Sequence, residues 1–513
     1  MFGTFPTASI VARLGADERG GVAVIFALTL IPLLALSGMA IDLSANTNAR
    51  RKAQNAVDAA ALSLAKLPSG LSDADLADRA KRQVTAAMAE SQATGVDVAT
   101  FRSGETIRVT LTGATPTTLA RVVGFTSLGL NVSGTSKRGS GNLEVALVLD
   151  NTGSMAGAKL ANLKTAATDL VNNLFEEVDP AKPNALKVAV VPFSMTVNVG
   201  ASRSGDAFID KDGLASYHSQ IFATKANRLA LFTKMGVAWG GCVESRPVPY
   251  DVDDTPASQG TPDSLFVPYF APDESDKDGN AANDYLDDYS DFLSLYFVTG
   301  DRKRQGQTAK YGTPWKVSRS DRGGAGYLYG PNAGCELQPI TPLTTSKATV
   351  TAAIASMSVI GDTNVALGLA WGWHVLSPTG PLVRGAPYTD TTTRKFAVVM
   401  TDGQNTSGYR NNSNESVYSG IGYIWANRLG TTSSDTAIRT RAIDGRLALL
   451  CSNMKSAGIQ IFTVRVEVSD GTSDLLRNCA SNPSMFYDVS DSGNLTATFR
   501  AIGAQISELR ISR

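Results

Sequence analysis

Three separated fragments hold most of the side chains in this chain that can do chemistry together. They are Asp150-Asn151-Thr152-Gly153-Ser154-Met155, Gly361-Asp362-Thr363-Asn364 and Thr401-Asp402-Gly403. Their candidate ligand atoms are the carboxylates of Asp150 and Asp402 and the hydroxyls of Thr152, Ser154 and Thr363. These are hard oxygen donors. They suit a divalent cation such as Mg²⁺, or Mn²⁺ or Ca²⁺, rather than Zn²⁺. Taken singly, each aspartate has a simpler use as the cap of a helix or turn.

The elements that must position these groups are legible around them. Leu143 to Leu149 is a short apolar run, the mark of a strand buried on both faces. The chain then turns through Gly153 into a helical pattern from about Met155 to Phe175. Asp150 therefore falls at the carboxyl end of a strand, where open parallel sheets bind ligands. Asp402 has the same setting behind the apolar run Phe396 to Met400. The two aspartates converge if their strands are neighbours.

On these residues the chain resembles a von Willebrand factor A domain. That family's metal-ion-dependent adhesion site uses D-x-S-x-S, a distant Thr and a distant Asp. Asp150, Thr152, Ser154, Thr363 and Asp402 match it in order, with Thr152 where Ser is usual. The resemblance implies that the hydroxyls bind the ion directly and the aspartates often act through water. It also implies one open position for a carboxylate of a protein partner.

A chain of 513 residues with 43% hydrophobic content predicts two or three packed domains. Formal net charge is zero, which gives no electrostatic case for nucleic acid. Basic residues gather in Arg302–Arg322 and acids in Asp251–Asp291, as two solvated loops or as facing patches. The four cysteines contain no C-x-x-C pair, and the even count fits two disulfides. Three pairings are possible. Sequence order suggests Cys242–Cys335 and Cys451–Cys479, which would place them in an oxidising compartment. There is no phosphate loop, no H-E-x-x-H and no G-x-S-x-G, and only His218 and His374 are available for a triad. The chain reads as a non-enzyme with no small-molecule substrate.

Gly20 to Ile41 runs for 22 residues without a charge. As a helix this is roughly 33 Å, enough to cross a hydrocarbon core. A signal peptide cut near Gly38-Met39-Ala40 is the competing reading, but the apolar run is long for that. A retained anchor is expected over 20–41. Flanking positive charge does not decide its orientation: Arg13 and Arg19 precede it, and Arg50, Arg51 and Lys52 follow. The inferred disulfides do, by placing the C-terminal bulk in the periplasm and residues 1–19 in the cytoplasm. Helical spacing continues through Ala45, Ala49, Ala53, Val57, Ala60 and Leu64 to about Lys66, before Pro68. This stripe of small residues would suit a second helix or the chain's own domain.

The run from Arg19 to Ala27, the segment Gly38 to Asp42 and the segment Gln54 to Leu62 resemble the TadE/TadG-like family of Flp (tight adherence) pilus-assembly proteins. With an A domain behind them the architecture is TadG-like. One departure is clear: a prepilin peptidase site needs Glu five residues after the cleaved Gly, and here Ile25 or Phe26 stands there. A permanent anchor in a bacterial inner membrane is expected, single-pass, with other pilus-assembly components as partners.

The remaining sequence predicts helices over Ser72–Glu90, Thr349–Met357, Asn364–Leu376, Leu447–Ala457, Ser473–Ala480 and Leu495–Ile511. Strands are predicted over Thr106–Leu111, Leu128–Ser133, Leu186–Pro192, Ile459–Val466 and Phe486–Val489. Ser136–Asn142 reads as a linker. The expected fold is α/β. A pilin-like α+β module spans 42–140. A doubly wound, mostly parallel sheet of von Willebrand A type spans 141–513, with an insertion at about 198–345 that does not alternate helix and strand. The expected function is pilus assembly in the envelope through a cation-held partner. A surface adhesin using the same site is the alternative, and a metal-dependent hydrolase a third.

Overall fold

The computed structural model describes residues 21–65, 67, 71–137, 141–178, 182–288, 300–312, 329–468 and 473–511. The expected cytoplasmic segment 1–19 lies outside them. The chain divides into two compact units, Met1–Ser140 and Gly141–Arg513.

The first unit holds helices α1 (Gly21–Ala65) and α2 (Asp73–Met88), then strands β1 (Thr94–Ser103), β2 (Thr106–Pro116) and β3 (Ser127–Lys137). The strands form an antiparallel sheet in the order β1-β2-β3. Ser72 caps α2 by accepting from the Asp75 amide at 3.1 Å. The stripe Ala53, Val57, Ala60 and Leu64 is buried with Leu76, Ala80 and Val84 of α2 and Ile107, Val109 and Leu111 of β2. The small residues of α1 thus pack on the unit's own sheet. Strand β1 was not legible in the sequence because none of its residues is fully buried and its inward apolar alternation is limited to Val96 and Val98. The expected linker begins later than 136, since β3 runs to Lys137.

Among the described residues no helix is long and apolar enough to cross a membrane. From residue 21 onward the span expected at 20–41 forms the first part of α1. Gly20 lies outside the described residues, and the rest of the run continues unbroken past Asp42 into the polar part of a 45-residue helix. Asp42 is itself buried, its carboxylate accepting from the amides of Thr118, Leu119 and Ala120 at 3.0, 2.9 and 2.6 Å. Ahead of it Ile25, Phe26, Leu28, Leu33, Leu36 and Ile41 are all exposed.

The second unit is a mixed α/β structure. It contains, in chain order, β4 (Asn142–Asp150), α3 (Ala158–Glu176), β5 (Leu186–Phe193), β6 (Val197–Asn198), α4 (Arg228–Met235), β7 (Cys242–Val243), α5 (Asp301–Gln305), β8 (Thr341–Thr344), α6 (Lys347–Ala355), α7 (Val365–Leu376), β9 (Thr393–Thr401), α8 (Thr436–Ser456), β10 (Gln460–Val466), α9 (Ser473–Cys479), β11 (Phe486–Val489) and α10 (Leu495–Ile511). Six strands make one sheet in the order β11-β10-β9-β4-β5-β8. All its pairs are parallel except β5 with β8. Alternate residues of β4 feed two cores, one on each face of the sheet. Val145 and Leu147 pack with α3, α6 and α10. Ala146 and Val148 pack with α7 and α8.

The insertion differs from the loop the sequence suggests. It carries β6 and β7, α4 and α5, and the edge strand β8. Its Phe208, Phe222, Phe232, Phe266, Phe270 and Tyr311 belong to the same apolar core as α7. These aromatics have no helical or strand period, which is why the segment looks structureless until folded. The opposed charge clusters meet through buried Lys310, which reaches Asp273 and Asp288 at 2.8 and 3.0 Å. Residues 313–328 lie outside the described set. Disulfides join Cys242 to Cys335 and Cys451 to Cys479. Helix α8 starts earlier than the apolar pattern at Leu447, because Asp435 caps it by accepting from the Ala437 amide at 2.8 Å.

Candidate metal centre

The chain enters the large sheet at β4, proceeds outward to β5, and later returns to β9 on the opposite side of β4. This reversal opens a crevice beyond the carboxyl ends of β4 and β9. Asp150 is the last residue of β4, and Thr401 ends β9. Leu149 pairs in register with Met400, so the following residues are neighbours.

Asp150 is fully buried. Its carboxylate accepts from the Thr152 amide at 2.8 Å and from the Thr401 hydroxyl at 2.7 Å. Thr152 Oγ1 and Ser154 Oγ are 3.0 Å apart, and the Ser154 hydroxyl donates to Asp402 at 2.6 Å. These contacts link four of the five expected residues in one cluster.

Thr363 reaches the same place by another route. It sits just ahead of α7, which packs close to the sheet because Gly368 and Gly372 stand one turn apart on its inner face. A Cβ on Gly372 would lie 2.5 Å from Val148 Cγ2, and one on Gly368 would collide with the Phe193 ring. The loop before Thr363 turns at Gly361, whose φ of +66° favours glycine. Its carbonyl accepts from the Gly153 amide at 3.0 Å, tying the first fragment to the second. The Thr363 amide donates to Thr406 Oγ1 at 2.9 Å, and the Thr406 amide donates back to the Thr363 carbonyl at 2.8 Å. A Cβ on Gly403 would lie 3.8 Å from Thr363 Oγ1, so this hydroxyl faces the segment that carries Asp402.

Burial raises the Asp150 carboxyl to about 6, against the hydrogen bonds from Thr152 and Thr401, and the charge of Asp402 adds to the rise. Among the described residues Asp150 has no cationic partner. Asp402 does have one: Lys159 Nζ lies 2.8 Å from its Oδ2 and 3.7 Å from Glu467. Burial draws the Lys159 ammonium down, but Asp402 and Glu467 hold it above its ordinary value. A buried carboxylate beside the hydroxyls of Thr152 and Ser154, with the Thr363 hydroxyl facing the segment that carries Asp402, fits a hard divalent cation, which would relieve the charge that burial disfavours. Among the described residues no group of three or more His, Cys, Asp or Glu side chains is placed to hold a metal. The centre offers two carboxylates and three hydroxyls instead, a donor set without nitrogen or sulfur.

Sequence reasoning assigned no role to Thr401 or Lys159. Thr401 stands inside a quoted fragment, and its place beside Asp402 at a strand end was the available signal. Lys159 carried no signal, since a lysine in the first turn of a helix reads as solvated. The histidines have structural uses. His218 Nδ1 lies 2.8 Å from buried Asp210, and its Nε2 accepts from the Arg228 amide at 3.0 Å. His374 is buried against Phe266 and Trp371.

Residues 20–65 match the family model described as putative Flp pilus-assembly TadE/G-like. No curated protein matches the chain. Three solved structures illustrate what it is similar to in shape. The pilus adhesin SpaC from Lactobacillus rhamnosus GG aligns over 81% of this chain and 34% of its own length, at 10% identity and a TM-score of 0.32. The vWF domain of the type V pili tip protein Mfa5 from Porphyromonas gingivalis aligns over 73% of this chain and 97% of its own, at 10% identity and a TM-score of 0.33. Proximal thread matrix protein 1 from the mussel byssus, with a zinc-occupied MIDAS motif, aligns over 72% and 46%, at 12% identity and a TM-score of 0.28. The chain thus spans about a third of SpaC and under half of the byssus protein.

Proposed function

We propose that this chain is a non-enzymatic, pilus-associated envelope protein that captures a protein partner through a divalent cation. The observation that carries the reading is the meeting of Asp150, Thr152, Ser154, Thr363 and Asp402 at the switch point of the large sheet. Thr152, Ser154 and Thr363 hold the ion directly, and Asp150 and Asp402 balance its charge. Mg²⁺ is the preferred occupant, with Mn²⁺ or Ca²⁺ able to substitute. An acidic side chain of the partner, itself a pilus-assembly component, completes the shell. The unit is read as a von Willebrand A domain on this donor set and topology.

The match of residues 20–65 to the pilus-assembly family supports the biological setting. The exposed apolar side chains ahead of Asp42 support a membrane anchor: surfaces of that kind are unstable in water and stable in lipid. The two disulfides support an oxidising, periplasmic location for the C-terminal bulk. Crosslinking in the native cell tests the whole reading. Adducts should form in Mg²⁺, and they should vanish with a membrane-permeant chelator and in Asp402→Ala. Identical adducts in all three conditions would rule it out.

A further inference from the structure

A cavity of about 670 Å³ lies in the second unit and begins where the candidate metal centre ends. Gly361 and Asp362, which form part of its wall, directly precede Thr363. Consecutive Cα atoms are ~3.8 Å apart, so a partner residue one or two positions from a cation-bound carboxylate reaches the opening. The size falls in the ~300–1,000 Å³ range of pockets that enclose organic ligands, and it holds more than one side chain.

The wall chemistry selects the occupant. Met195, Tyr269, Tyr329, Ala333, Val417 and Tyr418 give it an apolar and aromatic surface. The phenols of Tyr269 and Tyr418 are already used: Tyr269 donates to the Ala333 carbonyl at 2.9 Å, and Tyr418 donates to Glu244. Glu274 also lines the cavity, but both its oxygens accept bonds within the protein. The Tyr423 hydroxyl takes one at 2.9 Å, and the Ala282 amide takes the other. The Glu274 carboxylate is therefore not open to a ligand cation. The open charged groups are Asp362, half-buried, and Arg410, exposed; both line the cavity. Among the described residues neither makes a hydrogen bond or ion pair.

We propose that this cavity receives a large apolar or aromatic side chain next to the partner's cation-binding acid, with Arg410 pairing a second acid outside it. The proposal rests on the cation-centre reading and gives the partner a sequence: acid, neighbouring Phe, Tyr, Trp, Leu or Met, and another acid. The insertion between β5 and β8 then builds the specificity surface, supplying Tyr269, Tyr329 and Ala333, while the strand ends supply the ion.

The test uses the full-length chain in detergent and a displayed library of seven-residue peptides with a fixed central Asp. Panning in Mg²⁺ and in chelator selects cation-dependent binders, and Mn²⁺ titration measures the centre separately. Enrichment of a large apolar residue within two positions of the Asp is expected. Ala333→Trp, which puts an indole into the cavity, and Arg410→Glu, which inverts its only open cation among the described residues, should each weaken selected peptides at least about tenfold. Mn²⁺ affinity should not change in either. Cation-dependent peptides without flanking preference, or indifferent to both variants, overturn the proposal. So does Mn²⁺ binding without any Mg²⁺-dependent peptide. Failure of the wild type to bind Mn²⁺ removes the centre itself, and the cavity proposal with it.

Discussion

Asp150→Asn separates the cost of the buried charge from the benefit of the cation. Burial moves this carboxyl from an ordinary 3.8 to about 6. At about 1.4 kcal/mol per tenfold change in proton affinity, the gap amounts to about 3 kcal/mol. The sign follows from linkage. The folded protein holds the proton more tightly than the unfolded chain. Without cation, then, this group lowers stability progressively as pH rises from about 4 to about 6, and the full penalty applies above that. The amide variant carries no charge and keeps an acceptor for the Thr152 amide or the Thr401 hydroxyl. In EDTA at pH 7.5, Asp150→Asn should be more stable than wild type, by up to about 3 kcal/mol. The difference should shrink toward zero by pH 4. Mg²⁺ closes most of that gap: at a hundred times its Kd it stabilises wild type by about 2.7 kcal/mol and leaves the variant unmoved. Urea unfolding followed by tryptophan fluorescence reads all of this. Taking the difference between the two proteins removes the effects of every other titrating group. A variant that is less stable than wild type in EDTA at every pH, or that gains as much from Mg²⁺, would refute the argument.

Four further outcomes are expected. Mg²⁺ or Mn²⁺ affinity should fall steeply as pH drops through about 6, because protons compete for Asp150; calorimetric titration across pH 5 to 8 checks it. Lys159→Met should tighten Mn²⁺ binding by about tenfold or more, since it removes an ammonium 2.8 Å from Asp402; looser binding would show that Lys159 holds the carboxylate in place instead. Gly372→Ala should destabilise the fold by about 1–3 kcal/mol through collision with Val148 and should weaken cation binding by displacing Thr363. Replacing Cys242 and Cys335 together by Ser should lower stability by about 4–5 kcal/mol, from the 93-residue separation they close; denaturant midpoints report both.

The parallel sheet was legible because its strands are continuous apolar runs that end at turn residues. Leu186 to Pro192 and Phe486 to Val489 could be placed within a residue. The candidate ligand residues could be picked out because their order along the chain carries a pattern, although no spacing in the sequence shows that Thr363 faces Gly403. That depends on the close approach of α7, which only the glycines at 368 and 372 hint at. The insertion was not legible. Its order comes from aromatic contacts such as Phe266 with Trp371, at 4.8 Å between ring centres, and from the buried pairing of Arg228 and Arg428 with Glu244. Contacts of this kind join residues far apart in sequence and leave no period. The membrane expectation rested on the absence of charge in 20–41, and hydropathy could not show that Asp42, the charge that bounds this run, is buried against the turn at Thr118–Ala120.

The bridge from Cys242 to Cys335 encloses almost the whole stretch between β7 and β8. One cut by a protease anywhere inside this loop leaves two fragments that stay covalently joined. The nicked molecule migrates as a single band until thiol is added, then separates into two. Cleavage at this point therefore does not by itself release either piece, and only a reducing gel reveals that it has happened.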